Sequence, residues 1–571
     1  MTAPPPSDEQ APVGSDPPGA GSRVAGLREA VLDAARGLGN GAPARPAARR
    51  EITLERPPRV ELGDYSTNAA LLLAPGLGAA PRDVAQRLGD GLASRLGGDL
   101  ERFEVAGPGF LNLFMADAWL VGALAEVLAR GERYGAGQAV RPRSVLVEFV
   151  SANPTGPMHV GHARNAAYGD ALARLLAFDG QRVQREFYVN DAGSQVLRLG
   201  ESIGALARGE EVPEGGYRGA YVAELAVRLA GAATSAPADL GRAAVAVIVE
   251  QLQSSLQAFG VRFDSWTYES SLHAGNPSPV EHALALLAQQ GHTYRSEGAL
   301  WLRTTEFGDD KDRVLVRSSG EHTYFASDIA YHQRKRERGF RSQIDVWGAD
   351  HHGYVARLKA AFQALGGDPD ELELLIMQLV HLVSRGERAQ MSKRAGEFVT
   401  LDDLVAEIGV DAARWFLLSR SHDSAIDLDL DLAREQSAEN PVYYVQYAHA
   451  RIASMLARAE REGVAGHPGT LAAGGQLAAG QPLHAAERAL IVALLAFPAL
   501  VHEAAERRAP HRVATCALEL AQVFTAFYRD CRVIGAEPAA SEAFRIALSV
   551  ATRDTLARCL ELLGVAAPVQ M

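Results

Sequence analysis

"VLVEFVSANPTGPMHVGHARN", residues 145–165, decides the fold. Its first six residues form an apolar, β-branched run of buried-strand length, and HARNAAYGDALARLLAFDG, from His162, has helical spacing that ends at Gly180. QRVQREFYVND, from Gln181, reads as a second strand. Strand, helix and strand in so short a span are the grammar of a parallel α/β sheet. The segment joining the first strand to its helix then lies where doubly wound sheets place ligands and where free backbone N–H groups favour phosphate. Pro157 suits the first turn of a helix, and Gly156 and Gly161 let a flat or charged group approach the backbone. His159 and His162 stand three apart, so one helical turn brings both rings to one face, within reach of one phosphate.

Composition limits what surrounds this unit. A chain of 571 residues exceeds a single core and implies two to four domains. No long apolar run stands out as a bilayer span, so a membrane role is not expected. Cys516, Cys531 and Cys559 are isolated from one another, which argues against a zinc-thiolate site or a disulfide framework and fits a reducing cytoplasm. The net charge of -12 argues weakly against nucleic acid, since an acidic body can carry a local basic track. Only four lysines, Lys311, Lys335, Lys359 and Lys393, stand among 57 basic residues. Residues 1–22, rich in Pro, Gly and Ser, read as a disordered tail rather than a signal peptide.

Along the chain the pattern gives an α+β amino-terminal domain over 23–125 and a Rossmann-like α/β domain over 140–405 with an insertion at about 203–320. From 406 to 571 it is almost wholly helical.

HVGH within SANPTGPMHVGH resembles the first nucleotide-binding signature of class I aminoacyl-tRNA synthetases, and MSKRAG, from Met391, resembles the second. The likeness narrows to the arginyl-tRNA synthetase family through YVNDAGSQ, TYFASDIAYH, VWGADHHGY, MSKRAGEFVTLDDL, NPVYYVQYAHARI and, nearer the start, GDYSTNAALLLA and GPGFLNL. Where that second signature begins with lysine and ends with serine, this chain has Gln390 and Arg394.

The resemblance implies activation of L-arginine by ATP, with Mg2+ accompanying the nucleotide, and transfer to tRNA(Arg); a cytoplasmic monomer is expected. It implies catalytic roles for His159, His162 and Lys393, the last reaching the leaving pyrophosphate as a point charge on a flexible stem. ATP is expected against Ala152, Pro154, Thr155, Gly156, Pro157, Met158, Val160 and Gly161, and against Met391, Ser392 and Arg394. Arginine is expected at Glu148, Asn153, Tyr324, Asp328, Asp350 and His351, types suited to a planar cation with five donors. Glu148 also interrupts an apolar strand, where an unpaired carboxylate costs several kcal/mol; a single solvent-facing position is the plainer account. Asp350, His351 and His352 together could suggest a metal, but one turn rarely supplies a whole ligand set, and no metal site is expected.

For tRNA, the resemblance points to Phe110 and Asn112 in the amino-terminal domain, with β-turn packing as the alternative, and to Tyr443, Tyr444, Gln446 and Tyr447 in the helical one, where aromatics at helical spacing are otherwise core. The basic run HQRKRERGFR, from His332, is either a solvated face or a phosphate contact. Two other function classes share these features: an inactive RNA-binding relative, and a ligase of small molecules that uses HxGH without RNA. Retention of both histidines and Lys393 weighs against the first, and the helical carboxy-terminal domain against the second.

Overall fold

The computed structural model describes residues 22–39, 51–388, 399–464 and 481–571. The first four strands, β1 (Leu54–Glu55), β2 (Tyr65–Thr67), β3 (Leu100–Ala106) and β4 (Phe110–Met115), form an antiparallel sheet of order β1-β2-β4-β3, backed by helices. Gly107 and Gly109 take positive φ in the turn between β3 and β4, the conformation a hairpin there demands.

Next come β5 (Ser144–Glu148), β6 (Arg182–Val189), β7 (Ser265–Tyr268), β11 (Ser342–Gly348) and β12 (Leu372–Met377). They form one parallel sheet of order β12-β11-β5-β6-β7, with the chain reversing direction of winding between β5 and β11. Between β7 and β11, β8 (Thr293–Ser296), β9 (Ala299–Leu302) and β10 (Arg313–Val316) make a separate antiparallel sheet. The insertion is therefore shorter than the sequence suggests. Helix Pro237–Ala258 and β7 complete the main sheet's layer, because their apolar faces join the main core rather than a second one. After β12, β13 (Val380–Ser384) pairs with β14 (Glu387–Arg388) and, in parallel, with β15 (Ile426–Asp429); the rest is helical.

Helix Val160–Asp179 is the centre of the molecule. It is buried on nearly every side, and its alanines and Gly169 allow close approach: a Cβ on Gly169 would stand 2.1 Å from the Phe149 ring. Two wholly buried arginines tie it to its surroundings. Arg164 donates to the carbonyls of Gln378, Ser421 and Ser424 at 2.7–2.9 Å, and Arg414 links Asp170 on this helix to the carbonyls of Phe259 and Leu563. Each fills a gap between elements distant in sequence with a group whose donors are all directional.

Residues 485–506 are apolar and long enough for a bilayer span, contrary to the sequence expectation. They form two helices, Ala485–Leu495 and Phe497–Glu506, whose apolar faces are largely taken up by the helical domain's core. All three cysteines are buried and unpaired.

Helices Ser194–Ala207 and Pro237–Ala258 cross backbone to backbone: a Cβ on Gly200 would come within 1.8 Å of the Pro237 carbonyl oxygen. Backbone cannot swing aside as a side chain can, so Gly200→Ala is expected to destabilise this domain by about 2–3 kcal/mol. Scanning calorimetry should show its transition lowered by roughly 5 °C or more.

Candidate functional site

The joint between β5 and the central helix is strained. Val150 has φ +67° and Ser151 φ +41°, left-handed values that a β-branched residue rarely adopts. Neighbours hold the kink: the Val150 N–H donates to Asn165 Oδ1 at 2.8 Å, and Asn165 Nδ2 donates to the Val346 carbonyl of β11 at 2.9 Å. Ser151 Oγ donates to Glu148 Oε1 at 2.8 Å and accepts from the Tyr188 N–H at 3.1 Å. Ala152, Pro154, Thr155, Gly156, Pro157 and Met158 then form the turn into the helix, with Asn153 exposed on it.

His159 is the helix N-cap. The Gly161 N–H donates to His159 Nδ1 at 3.1 Å, the His159 N–H donates to His162 Nδ1 at 3.3 Å, and the two rings stack with centroids 3.8 Å apart. With each Nδ1 accepting, the proton of each neutral ring sits on Nε2. Burial, then the neighbouring His159, pushes His162 down to about 4, and burial lowers His159 as well. At neutral pH the pair can therefore recognise phosphate by hydrogen-bond donation at a helix N-terminus. The second signature's flank is tied to the first: Val160 N–H donates to the Val399 carbonyl, and Leu401 N–H to the Met158 carbonyl. Gln390, Met391, Ser392, Lys393 and Arg394 lie outside the described residues.

Behind the kink, Asp345, Glu148 and Glu186 are register partners on β11, β5 and β6, three buried carboxylates in a row. Helix Tyr324–Glu337 answers them. Lys335 Nζ donates to Glu148 Oε2 (2.6 Å) and Asp345 Oδ1 (2.9 Å), His332 Nε2 meets Asp345 Oδ2 (2.7 Å), and Arg338, just beyond the helix, meets Glu186 (2.6 Å). Burial works against ionising Asp345, but Lys335 and His332 outweigh it and hold the carboxyl at about 2. Burial raises Glu148 despite Lys335.

These contacts correct two sequence readings. Glu148 is not a solvent-facing position of its strand: it is buried, with Lys335 donating to one of its oxygens and Ser151 to the other. Most of the basic run is neither a solvated face nor a phosphate patch. Lys335 and Arg338 serve the buried carboxylates, and Arg336 donates to the carbonyls of Leu365 and Gly366.

One and two turns earlier the same helix carries Asp328 and Tyr324 over the carboxyl ends of the strands. Tyr354 Oη donates to Asp328, and Tyr324 Oη sits beside Gly193, 2.9 Å from where a Cβ would stand. Glu269 and Asp191 complete an acidic pocket around the Tyr188 ring. Burial, then Asp328 and Asp191, pushes Glu269 up to about 7. Among the described residues none of these three carboxylates has a lysine or arginine within ion-pair distance; the Asn190 amide, oriented to suit its neighbours, donates to Glu269. A buried anionic pocket lacking its own cation is suited to a cationic ligand. Sequence reading missed Asp191, Glu269, Tyr188 and Tyr354; Asp191 lies within YVNDAGSQ, but nothing local marks Glu269.

Asp350 and His351 are exposed on a 3-10 turn, 3.4 Å apart, and Asp350 is close enough to influence His162. Among the described residues no three His, Cys, Asp or Glu side chains are grouped to hold a metal.

Of the tRNA candidates, Phe110 is 40% exposed, whereas Asn112 is buried and accepts from Ser66 Oγ at 2.8 Å. Tyr443 and Tyr447 stack in parallel beside a cleft of about 370 Å³ that Arg451 and Tyr528 also line. Tyr444 donates to Thr525 there, and Gln446 is buried, its amide donating to Asp411 and the Ala566 carbonyl. Asn112 Oδ1 thus joins a cross-strand bond and the Gln446 amide nitrogen joins its helix to the tail, so one polar atom of each is used inside the fold.

Three family models match the chain: the arginyl tRNA synthetase N terminal domain over residues 26–115, the catalytic domain of class I (R) tRNA synthetases over 123–206 and 236–454, and the DALR anticodon binding domain over 445–571. A protein of Syntrophotalea carbinolica described as arginine--tRNA ligase is 46% identical over 91% of this chain and 95% of its own length. Another of that description, from Carboxydothermus hydrogenoformans, is 43% identical over 91% and 94%. The arginyl-tRNA synthetase structure of Thermus thermophilus superposes with a TM-score of 0.73 at 26% identity, covering 96% of this chain and 99% of that one.

Lys335→Met should leave two carboxylates buried without their cation and cost about 3–5 kcal/mol, read as a lowered denaturation midpoint. An NMR titration should put the His162 midpoint near 4. Because that folded value lies below the ordinary 6.5, the ring's contribution to stability is full above about 6.5 and lost as pH falls towards 4.

Proposed function

The chain belongs to the arginyl-tRNA synthetase family, and from that premise we propose how its residues divide the work. It is a class I aminoacyl-tRNA synthetase that uses ATP to activate L-arginine and transfers the arginyl group to the terminal adenosine of tRNA(Arg), giving arginyl-tRNA and AMP. In the first step a carboxylate oxygen of arginine bonds to the α-phosphorus of ATP as the bond to pyrophosphate breaks. Positioning and charge stabilisation carry such a step, because the enzyme forms no covalent bond.

In our assignment the turn 152–161 cradles ATP, and His159 and His162 donate to its phosphates, supported by the Nε2 protons and the helix N-terminus. Lys393 would steady the pyrophosphate. The guanidinium enters among Asp328, Glu269, Asp191 and Tyr324, with Asn153 at the mouth; Asp350 and His351 flank the adenylate. The cluster of Asp328, Glu269 and Asp191, with no lysine or arginine at ion-pair distance among the described residues, carries this reading. Glu148 becomes the pocket's floor rather than a direct ligand. Phe110 on the amino-terminal sheet and the Tyr443–Tyr447 face, with Tyr444 and Arg451, are our tRNA contacts, favoured by exposed or half-exposed rings and a nearby cation.

The division of labour follows the expected domains, 23–125 and 406–571 for tRNA and 140–405 for chemistry. Mg2+ fits as ATP's companion on the phosphates rather than a resident of the protein. A cytoplasmic monomer in which tRNA promotes activation completes the proposal; three unpaired buried cysteines suit a reducing compartment.

Exchange of pyrophosphate into ATP should require arginine, be absent with lysine, and rise sharply with tRNA(Arg). Exchange indifferent to the amino acid would refute the pocket assignment. Since Glu269 ionises only above about 7, kcat/KM for arginine should fall as pH drops below 7, and Glu269→Gln should remove that limb.

A further inference from the structure

The geometry points to Tyr221 as a positioning residue that holds the ATP-side turn 155–157 in its working shape. Tyr221 stands in the first turn of helix Ala220–Arg228, in a stretch between β6 and β7 to which neither signature assigns a role. Its hydroxyl donates to the Thr155 carbonyl at 2.9 Å, across 66 positions of sequence, and its ring stands 3.4 Å from where a Cβ on Gly156 would lie. The turn has few bonds of its own. Thr155 N–H donates to the Asn153 carbonyl at 2.8 Å, and Pro157 has no N–H to give. Tyr221 therefore closes one face of the turn and leaves the other for nucleotide.

The tyrosine is itself held. Val222 and Leu225 on its helix are buried in the main core, and the Tyr217 N–H donates at 2.9 Å to Ser202 Oγ, which donates to the Arg198 carbonyl. Ser202 belongs to helix Ser194–Ala207, which starts directly after Asp191 and Gly193 at the rim of the acidic pocket. One packed unit thus reaches from the arginine side to the ATP side. Burial, then Tyr217, pushes the Tyr221 hydroxyl up to about 12, so it stays a donor throughout the working range.

This inference rests on the reading that residues 152–161 bind ATP, and the experiment separates the two. Pyrophosphate exchange would be measured at varied ATP and varied arginine for Tyr221→Phe, Tyr221→Ala and His159→Ala, with a thermal melt of each. Tyr221→Phe removes only the donor, and should raise KM for ATP about fivefold while KM for arginine and the melting midpoint stay unchanged. Tyr221→Ala, which also removes the ring, should raise it further. If both Tyr221 variants keep the native KM for ATP while His159→Ala cripples exchange, the turn binds ATP without help from Tyr221 and the inference falls. Equal rises in both KM values with a lowered midpoint would also overturn it, as a general structural loss. An unaffected His159→Ala enzyme would sink the ATP-site reading, and this inference with it.

Discussion

Three carboxylates side by side on adjacent parallel strands, Asp345, Glu148 and Glu186, repel one another and lose hydration in the interior. The sheet can carry them only with a helix above that sets hydrogen-bond donors, two of them cations, opposite them. Helix Tyr324–Glu337 and the residue after it do so with His332, Lys335 and Arg338, spaced three apart on one helical face. Docking that face fixes the rest of the helix, so Asp328 and Tyr324, on the same side nearer the amino terminus, lie above the strand ends as walls of the pocket we propose for arginine. The buried ion cluster is therefore a locating device: its own net stabilisation is modest, but wrong registers leave charges unpaired.

A second constraint acts at the other wall. The left-handed backbone at Val150 and Ser151 is unfavourable alone and persists because Asn165 and Ser151 bind it to the central helix, β11 and β6. The kink turns the chain so that the next helix presents its N-terminus and two stacked neutral imidazoles toward the strand ends. The anion and cation sites we propose thus share a scaffold. Glu148 and Ser151 belong to both, bonded together at the strand's end.

The sheet, the strand-to-helix turn and the histidine pair were legible because each is a local pattern: β-branched run, glycines and proline, helical spacing. Less legible was the extent of the insertion, since β7 is only four residues long and helix Pro237–Ala258 carries no mark of which core it will join. Asn112 and Gln446 read in sequence as exposed polar groups, yet both are buried and each gives one polar atom to a partner far along the chain.

By itself the sequence determined the α/β class, the place of the strand-to-helix turn, the helical carboxy-terminal region and the family resemblance, since all rest on residues near one another in the chain. Only the tertiary structure decided who pairs with whom. Lys335 meets Glu148 across 187 positions, the charge of Asp328 raises the carboxyl of Glu269 from another part of the chain, and Tyr221 meets Thr155 across 66. A charge or hydroxyl reads the same in sequence whether it faces water, a ligand or a partner, and burial and distance, which fix its chemistry, exist only once the chain has folded.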